Sequence, residues 1–207
     1  MRRWTVQPTR ADELVARAAV AIASPAEERS AKAVTLLGDE RLLLAAFGFF
    51  WLGCMRSRSP HLEAASRLLI GAVITTVLPH LVKGVIAQQR PDRCEVHGNR
   101  RGIPHSGQAF DAFPSGHAMH MGAAGSALAA IAPAWRLASW SLCAVVAASR
   151  VVVLAHWLTD VLVGFGVGVA VDKLLARPLA ARGAASVHLD SSLNRGAHEG
   201  ARQASRS

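Results

Sequence analysis

Five apolar segments follow one another along the middle of the chain, and each is bordered by charged residues or proline. They cover residues 42–55, 68–82, 118–132, 137–149 and 157–171. A bilayer crossing needs about 20 residues, so each segment reaches that length only with its flanks included. Arginine and lysine at the borders can extend their charged ends to the interface, which permits short crossings. The pattern predicts an integral membrane helical bundle of the all-α class with five or six helices.

A soluble all-helical bundle with buried helices is the alternative fold. The mean hydropathy is +0.26, and 51% of the residues are hydrophobic. Leu, Val, Ala and Gly supply most of this apolar character, a composition that suits close helix packing in lipid. Five apolar segments within a single short stretch of chain favour the membrane protein.

The chain divides into three predicted regions. Residues 1–40 place basic residues before a short apolar patch, which predicts an N-terminal amphipathic segment on the membrane surface. Residues 41–176 contain the apolar segments and form the predicted membrane domain, interrupted by a long loop at 84–114. Loops of that length are usually functional or disordered. Residues 177–207 are rich in Ala, Ser, Gly, Arg and His, which predicts a disordered basic tail.

The formal charge of +9 first raises nucleic-acid binding as an alternative. The arginines, however, are dispersed between the apolar segments and along both ends, and no basic stripe alternates with aromatic residues. Basic flanks of membrane helices explain the charge better, so we expect the bilayer and not nucleic acid as partner. The three cysteines form neither a C-x-x-C pair nor a metal-type spacing, which argues against a disulfide framework or zinc.

Two polar clusters interrupt this apolar background between residues 83 and 120. The first, "KGVIAQQRP", contains Lys83 and Arg90, and its ordinary interpretation is the basic end of a membrane helix. The second, "FPSGHAMH", places Ser115 as a helix N-cap, followed by Gly116 and His117. Free N–H groups at a helix start attract anions, and glycine lets the backbone approach a ligand. A plain helix cap followed by a structural histidine is the alternative.

The third cluster, "SRVVVLAHWLTD", places three ionisable residues inside an apolar run. His156 and Asp160 are four residues apart and share one helix face, where the carboxylate can hold the imidazole in one tautomer. Arg150 lies about 120° from His156 on a straight helix, so we predict a break at residues 151–155 that lets both face one site. A buried Asp–His pair that only locks helices together is the alternative.

The predicted topology brings the three clusters to the same side of the membrane. If each apolar segment crosses once, the 84–114 loop, the start of the third segment and the 150–156 turn all lie on one face. Together they supply three cations, backbone donors at residues 115–117 and two histidines. Such an array suits a phosphate group, because guanidinium groups bind its oxygens in pairs and lysine adds a point charge.

These clusters resemble the three signature motifs of the type 2 phosphatidate phosphatase superfamily. The motifs K-x6-R-P, P-S-G-H and S-R-x5-H-x3-D are complete here, in order and with the family's internal spacing, between residues 83 and 160. With the surrounding helices, the resemblance covers about residues 42–175. The superfamily includes membrane lipid phosphatases, bacterial class A acid phosphatases and vanadium haloperoxidases.

The resemblance implies a role for each motif residue. His156 is the implied nucleophile that forms a phosphohistidine, Asp160 its orienting partner, and His117 the general acid. The implied phosphate cradle consists of Lys83, Arg90, Ser115, Gly116 and Arg150. The family works without a metal or other cofactor, and the sequence shows no metal-ligand set that contradicts this.

The implied substrate is a phosphorylated membrane lipid, such as phosphatidic acid, phosphatidylglycerol phosphate, a polyprenyl diphosphate or lipid A. Seven basic residues border the face opposite the clusters and four border the cluster face beyond the cradle, so the active site is expected to face the periplasm or outside from the inner (plasma) membrane. Two alternatives stay open: a vanadium haloperoxidase-like oxidoreductase on the same scaffold, and a non-catalytic membrane protein that binds anions.

Overall fold

The computed structural model describes residues 3–94 and 106–176. The compact unit that carries the polar clusters is Met1–Asp172. Of the second unit, Lys173–Ser207, the described residues are 173–176, which are helical. The predicted disordered tail at 177–207 and the middle of the predicted loop, at 95–105, lie outside the described residues.

Helices make up most of the described chain, as predicted. Their bounds are α1 Arg10–Ile22, α2 Pro25–Thr35, α3 Glu40–Arg56, α4 Leu62–Val85, α5 Gly116–Ile131, α6 Arg136–Val152 and α7 at residues 158–176. Short 3-10 helices cover Leu36–Gly38, Pro91–Arg93 and Pro133–Trp135. The prediction of an all-α helical bundle is confirmed.

The N-terminal region forms two capped helices, α1 and α2. Thr9 and Asp12 exchange hydrogen bonds as a capping box at the start of α1, and Ser24 and Glu27 do the same for α2. These reciprocal bonds satisfy N–H groups that would otherwise lack partners at a helix start. Both helices pack against α6, so the N-terminal region lies directly beside the bundle.

Close packing between α5 and α7 depends on glycine. A Cβ atom at Gly122 would collide with the backbone carbonyl of Phe165, and one at Gly168 would collide with that of Met119. The small residue at each contact lets the two backbones approach closely, as in many membrane helix pairs. This packing fixes the start of α5 beside the start of α7, where the second and third polar clusters lie.

The outward face of the bundle is apolar. On α4, the exposed residues Ile70, Val73, Val77 and Leu81 recur at helical spacing and form a continuous stripe. A contiguous apolar face of this kind marks an interaction surface, and α4 has the length of a membrane-spanning helix. This exposed apolar face agrees with the predicted membrane setting.

Among the described helices, α4 is the one both long and apolar enough to cross a bilayer by itself, with 24 residues. The helices α3, α5 and α6 have 16 or 17 residues. At 1.5 Å per residue they are about 24–26 Å long, slightly less than a typical hydrocarbon core of about 30 Å. Snorkelling flanks or local thinning of the bilayer can make up a difference of this size.

The predicted break between Arg150 and His156 is present. Helix α6 ends at Val152 and α7 begins at residue 158. Leu154 adopts a φ of 54° in the connection, a left-handed conformation that no continuous helix allows. The helix is therefore interrupted between the two residues, and the charge of Arg150 acts on His156.

A parallel strand pair, which the hydrophobic pattern did not predict, ties the N-terminus to the loop after α4. Strand β1, Trp4–Thr5, pairs with β2, Ile86–Ala87. Arg3 adds a 2.9 Å ion pair with Asp111 and a 3.2 Å hydrogen bond to the carbonyl oxygen of Lys83. The first residues described in the structure are thus attached to both sides of the loop that carries Arg90.

Candidate active site

His156 lies fully buried in the connection between α6 and α7. Its Nδ1 atom is 2.6 Å from the carbonyl oxygen of Ala112. Because a carbonyl oxygen only accepts, Nδ1 carries the ring proton and donates it to Ala112. The other ring nitrogen, Nε2, therefore carries the lone pair of the neutral imidazole.

The guanidinium of Arg90 lies next to that lone pair. Its NH1 group is 3.3 Å from Nε2 of His156 and donates a 2.7 Å hydrogen bond to the carbonyl of Ala155. The other nitrogen atoms donate to the carbonyl oxygens of Gln108, at 2.9 Å, and Asp111, at 3.1 Å. Arg90 thereby joins the loop at 106–112 to the connection that carries His156.

Arg150, at the end of α6, supplies the second guanidinium of the site. Its NH1 group donates a 3.0 Å hydrogen bond to the hydroxyl of Thr35. Its Nε atom is buried and has no hydrogen-bond partner among the described residues. A buried guanidinium N–H without a partner is costly, and an anion bound at this point would satisfy it.

The three predicted cations act together on His156. Burial lowers the pKa of His156 well below its ordinary value, and the positive charges of Arg90, Arg150 and Lys83 lower it further. The hydrogen bond to Ala112 acts in the opposite direction but does not compensate. The imidazole is therefore neutral at physiological pH, which is the state a nucleophile requires.

The start of α5 forms the third side of the site. Ser115 is buried, and its hydroxyl accepts a 3.4 Å hydrogen bond from the Ala118 N–H as the N-cap. A Cβ atom at Gly116 would meet nothing nearer than Pro79, at 3.6 Å, so protein packing does not require glycine there. The N-terminal N–H groups of α5 and their partial positive charge remain as an anion-binding feature.

His117 occupies the first turn of α5, beside the connection between α2 and α3. A Cβ atom at Gly38 would lie 3.2 Å from its Cδ2 atom, so the ring packs against the backbone of that connection. Both Arg150 and Lys83 act electrostatically on His117. The structure thus brings together all the residues that the motifs predicted: Lys83, Arg90, Ser115, Gly116, His117, Arg150, His156 and Asp160.

Asp160 contacts different partners from those implied by the resemblance. Its Oδ2 atom is 3.7 Å from Nδ1 of His156, beyond hydrogen-bonding distance, and accepts a 2.9 Å hydrogen bond from the Trp157 N–H. The Asp160 side chain therefore caps the N-terminus of α7, as the N3 carboxylate does in a capping box. The carbonyl of Ala112, not Asp160, accepts the hydrogen bond from Nδ1 of the imidazole and orients the ring.

Three residues at the site were absent from the sequence prediction: Ala112, Thr35 and Asp12. Asp12 is buried and accepts two hydrogen bonds from Thr159 at the start of α7, at 2.8 and 2.9 Å. Burial alone would raise the pKa of Asp12, but the hydrogen bonds from Thr159 and Thr9 lower it overall. The capping-box pattern around Thr9 predicts a helix start, but contacts across more than a hundred residues leave no trace in one sequence.

The three polar clusters lie within a region of the chain that matches a known protein family. The sequence model of the PAP2 superfamily matches residues 64–183, more than half of the chain and all three polar clusters. The chain belongs to the PAP2 superfamily. The family resemblance predicted from the three motifs is confirmed. Within the described residues, no three His, Cys, Asp or Glu side chains of this PAP2 protein converge as metal ligands.

Two curated relatives of this PAP2 chain are lipid A 1-phosphatases. That of Rhizobium johnstonii is 32% identical over 133 residues, which are 62% of this chain and 54% of the relative. That of Rhizobium etli is 33% identical over 125 residues, which are 58% of this chain and 54% of the relative. The chain thus spans about half the length of the curated relatives it matches.

The fold also has a solved counterpart in the superfamily. The transmembrane PAP2 type phosphatidylglycerolphosphate phosphatase from Bacillus subtilis matches with a TM-score of 0.60. The match covers 80% of this chain and 83% of that chain, at 23% sequence identity. The similarity shows that the two proteins share the helical fold.

Proposed function

We propose that this PAP2 protein is a membrane phosphatase that removes a phosphate group from a lipid through a phosphohistidine intermediate. The observation that carries the proposal is the environment of His156: a buried neutral imidazole whose Nε2 lies 3.3 Å from Arg90, with the charges of Arg150 and Lys83 also acting on the ring. Such an arrangement would bind a phosphate group and bring a nucleophile close to its phosphorus atom. Positioning and charge stabilisation of this kind supply most of the catalysis in phosphoryl transfer.

The phosphate group would bind among Lys83, Arg90, Arg150 and the start of α5. Its negative charge would neutralise the cations, and its oxygens would accept hydrogen bonds from the unpartnered Nε of Arg150 and the α5 backbone. Because Arg90 NH1 lies 3.3 Å from Nε2 of His156, a phosphate oxygen that replaces this contact would hold the phosphorus close to the nucleophile. Charge developing on the transferred group would be stabilised by the same cations.

The reaction would proceed in two steps. The bound phosphate would offset the cations around His117 and allow that ring to hold a proton. The Nε2 lone pair of His156 then attacks the phosphorus, the bond from phosphorus to the lipid oxygen breaks, and protonated His117 gives its proton to the leaving oxygen. Water then attacks the phosphohistidine and transfers a proton to His117, and the phosphorus–nitrogen bond breaks. Inorganic phosphate is released, and both histidines return to their starting states.

The test is phosphate release by the purified protein from a panel of phosphorylated lipids. The wild type is expected to act on at least one of them, and His156→Ala to lose at least about a thousandfold in rate, as for other nucleophiles. His80→Ala is the matched control, since His80 is an exposed histidine of α4 outside the site. Full activity of His156→Ala would refute the nucleophile. Activity lost in EDTA and restored by a divalent metal would refute the metal-free mechanism.

We propose lipid A bearing a 1-phosphate as the first substrate to test, because both curated relatives are named for it. Phosphatidic acid, phosphatidylglycerol phosphate and a polyprenyl diphosphate complete the panel as competing substrates. The largest kcat/KM identifies the substrate class. Binding of phosphate without hydrolysis of any of these lipids would instead favour the non-catalytic anion-binding alternative.

We further propose that the site faces the periplasm or outside, as the distribution of basic residues predicts. Helix α7 leads away from the site, so a reporter fused directly after Ala176 would lie in the cytoplasm. A fluorescent-protein fusion is expected to fluoresce, and an alkaline-phosphatase fusion is expected to be inactive. The opposite pair of results would place the site in the cytoplasm.

A further inference from the structure

We infer that Thr35 is a positioning residue of the phosphate site, acting through Arg150. The inference rests on the proposed function, because Arg150 belongs to the proposed phosphate cradle. Thr35 lies outside residues 64–183, the part of the chain that matches the superfamily model. The N-terminal helices of this protein therefore add a component that the three motifs do not contain.

The contact itself is specific and shielded from water. Thr35 is the last residue of α2 and is buried, and its hydroxyl accepts the 3.0 Å hydrogen bond from NH1 of Arg150. Among the described residues, the Arg150 side chain makes this one hydrogen bond. A hydrogen bond to an ionised group is about twice as strong as one between neutral groups, and burial strengthens it further.

The bond determines where the rest of the guanidinium points. An arginine side chain has many rotamers, and fixing one of its terminal nitrogens restricts the planar group to few orientations. With NH1 held by Thr35, the buried Nε remains without a partner among the described residues. We expect that N–H to bind a phosphate oxygen, so Thr35 would prepare Arg150 for the ligand before it arrives.

The residues packed around Thr35 hold its hydroxyl in a fixed position. Helix α2 packs along α6, and Val34 contacts the apolar core that contains Val146 and Ala147 of α6. Three residues beyond Thr35, Gly38 packs against His117. The end of α2 therefore contacts Arg150 of the proposed phosphate cradle, and the connection after it contacts His117, the proposed general acid.

The experiment compares Thr35→Val, which removes the hydroxyl but keeps the shape, with Thr35→Ser, which keeps the hydroxyl. Thr76→Val is the matched control, because the Thr76 hydroxyl only donates to Ala72 of its own helix. The readout is the shift in melting temperature caused by inorganic phosphate, which follows binding and does not depend on turnover. KM and kcat for the best lipid substrate are measured in parallel.

We expect Thr35→Val to bind phosphate up to about tenfold more weakly and to raise KM more than it lowers kcat. Thr35→Ser is expected to restore both values, and Thr76→Val to match the wild type. A merely structural role would lower the melting temperature without phosphate but leave the phosphate-dependent shift unchanged, and this result would overturn the inference. Equal losses in Thr35→Val and Thr76→Val would also overturn it.

The two proposals fail separately in this design. A wild type that binds phosphate but hydrolyses no lipid would refute the proposed function, and the Thr35 variants would still decide the role of Thr35. A wild type that hydrolyses lipid, with unchanged phosphate binding and KM in Thr35→Val, would refute the role of Thr35 alone. A wild type that binds no phosphate would count against both.

Discussion

The Nδ1 atom of His156 donates a 2.6 Å hydrogen bond to the backbone carbonyl of Ala112, which fixes both the tautomer and the direction of the ring. A backbone acceptor cannot be removed by changing the side chain at position 112. Nor does it take up the proton when the imidazole becomes positively charged. The proposed nucleophile is therefore oriented by the fold of the loop before α5, and its electrostatic environment is set by the surrounding cations.

The lowered pKa of His156 leads to a prediction about pH. Burial and three neighbouring cations hold that pKa well below 6.5, so we expect Nε2 to stay unprotonated when the pH falls moderately below 6.5. The ¹⁵N chemical shifts of histidine-labelled protein test this, with His156→Gln identifying the signal. A protonation step of His156 at or above pH 6.5 would contradict the prediction.

The same pKa predicts how stability depends on pH. Below 6.5 the unfolded chain binds a proton at this position that the folded chain does not bind. The contribution of His156 therefore lowers the free energy of unfolding as the pH falls through and below that value. Between about pH 7.5 and about pH 5, the melting temperature of the wild type should fall more than that of His156→Gln. An equal or smaller fall would show that the pKa is not lowered.

The contacts of Asp160 predict different results for two substitutions. Asp160→Asn retains an oxygen that can accept the hydrogen bond from the Trp157 N–H, so the N-terminus of α7 should remain capped. Asp160→Ala loses this bond, and the free energy of unfolding should fall by about 1 kcal/mol, as for other lost caps. Both remove the carboxyl group 3.7 Å from His156, so both should lower kcat. Melting curves and rates of the two variants measure these effects separately, and equal melting temperatures would exclude the capping role.

Glycine at position 122 is predicted to be essential for the packing of α5 on α7. Gly122→Ala places a methyl group against the backbone carbonyl of Phe165, which cannot move without shifting α7. We expect a loss of about 1–3 kcal/mol or more in stability, together with lower activity, because α7 follows directly after His156. Gly166→Ala is the control on α7, since a Cβ atom there meets nothing within 4 Å. Comparable losses in both variants would contradict this account.

A buried ion pair joins α4 to α7 on the side away from the site. Arg67 binds both oxygens of Asp172 at 2.6 Å. Arg67→Met alone leaves a buried carboxylate without its partner and should reduce the free energy of unfolding by about 3–5 kcal/mol. The double variant Arg67→Met with Asp172→Leu should recover much of that loss, because neither charge remains. Melting temperatures provide the measurement, and a double variant as unstable as the single one would exclude the uncompensated charge as the cause.

The sequence allowed the bundle and the site to be predicted because both depend on local patterns. Apolar segments with charged borders indicate helices wherever they occur. The angle between Arg150 and His156 on an ideal helix required a break, and the chain breaks at residues 153–157. The motif residues then converge because the breaks and loops of the bundle bring their helix ends to one side.

The contacts that the sequence did not predict join segments that lie far apart in the chain. Ala112 contributes through its backbone carbonyl, which any residue at that position would also provide. Thr35 and Asp12 are ordinary polar residues of short helices, and their partners lie 115 and 147 positions away. The strand pair between β1 and β2 is two residues long on each side, too short for an alternating pattern. Such contacts become visible only when the helices are packed.

Arg90 has a further consequence for how measurements at this site are interpreted. Its guanidinium is the centre around which the loop at 106–112 folds, since it binds the carbonyl oxygens of Gln108 and Asp111 as well as that of Ala155. Replacing it would release the backbone that orients His156 through Ala112. Kinetic losses in Arg90 variants would thus combine a missing charge with a displaced nucleophile, and would exceed the binding energy of one phosphate contact.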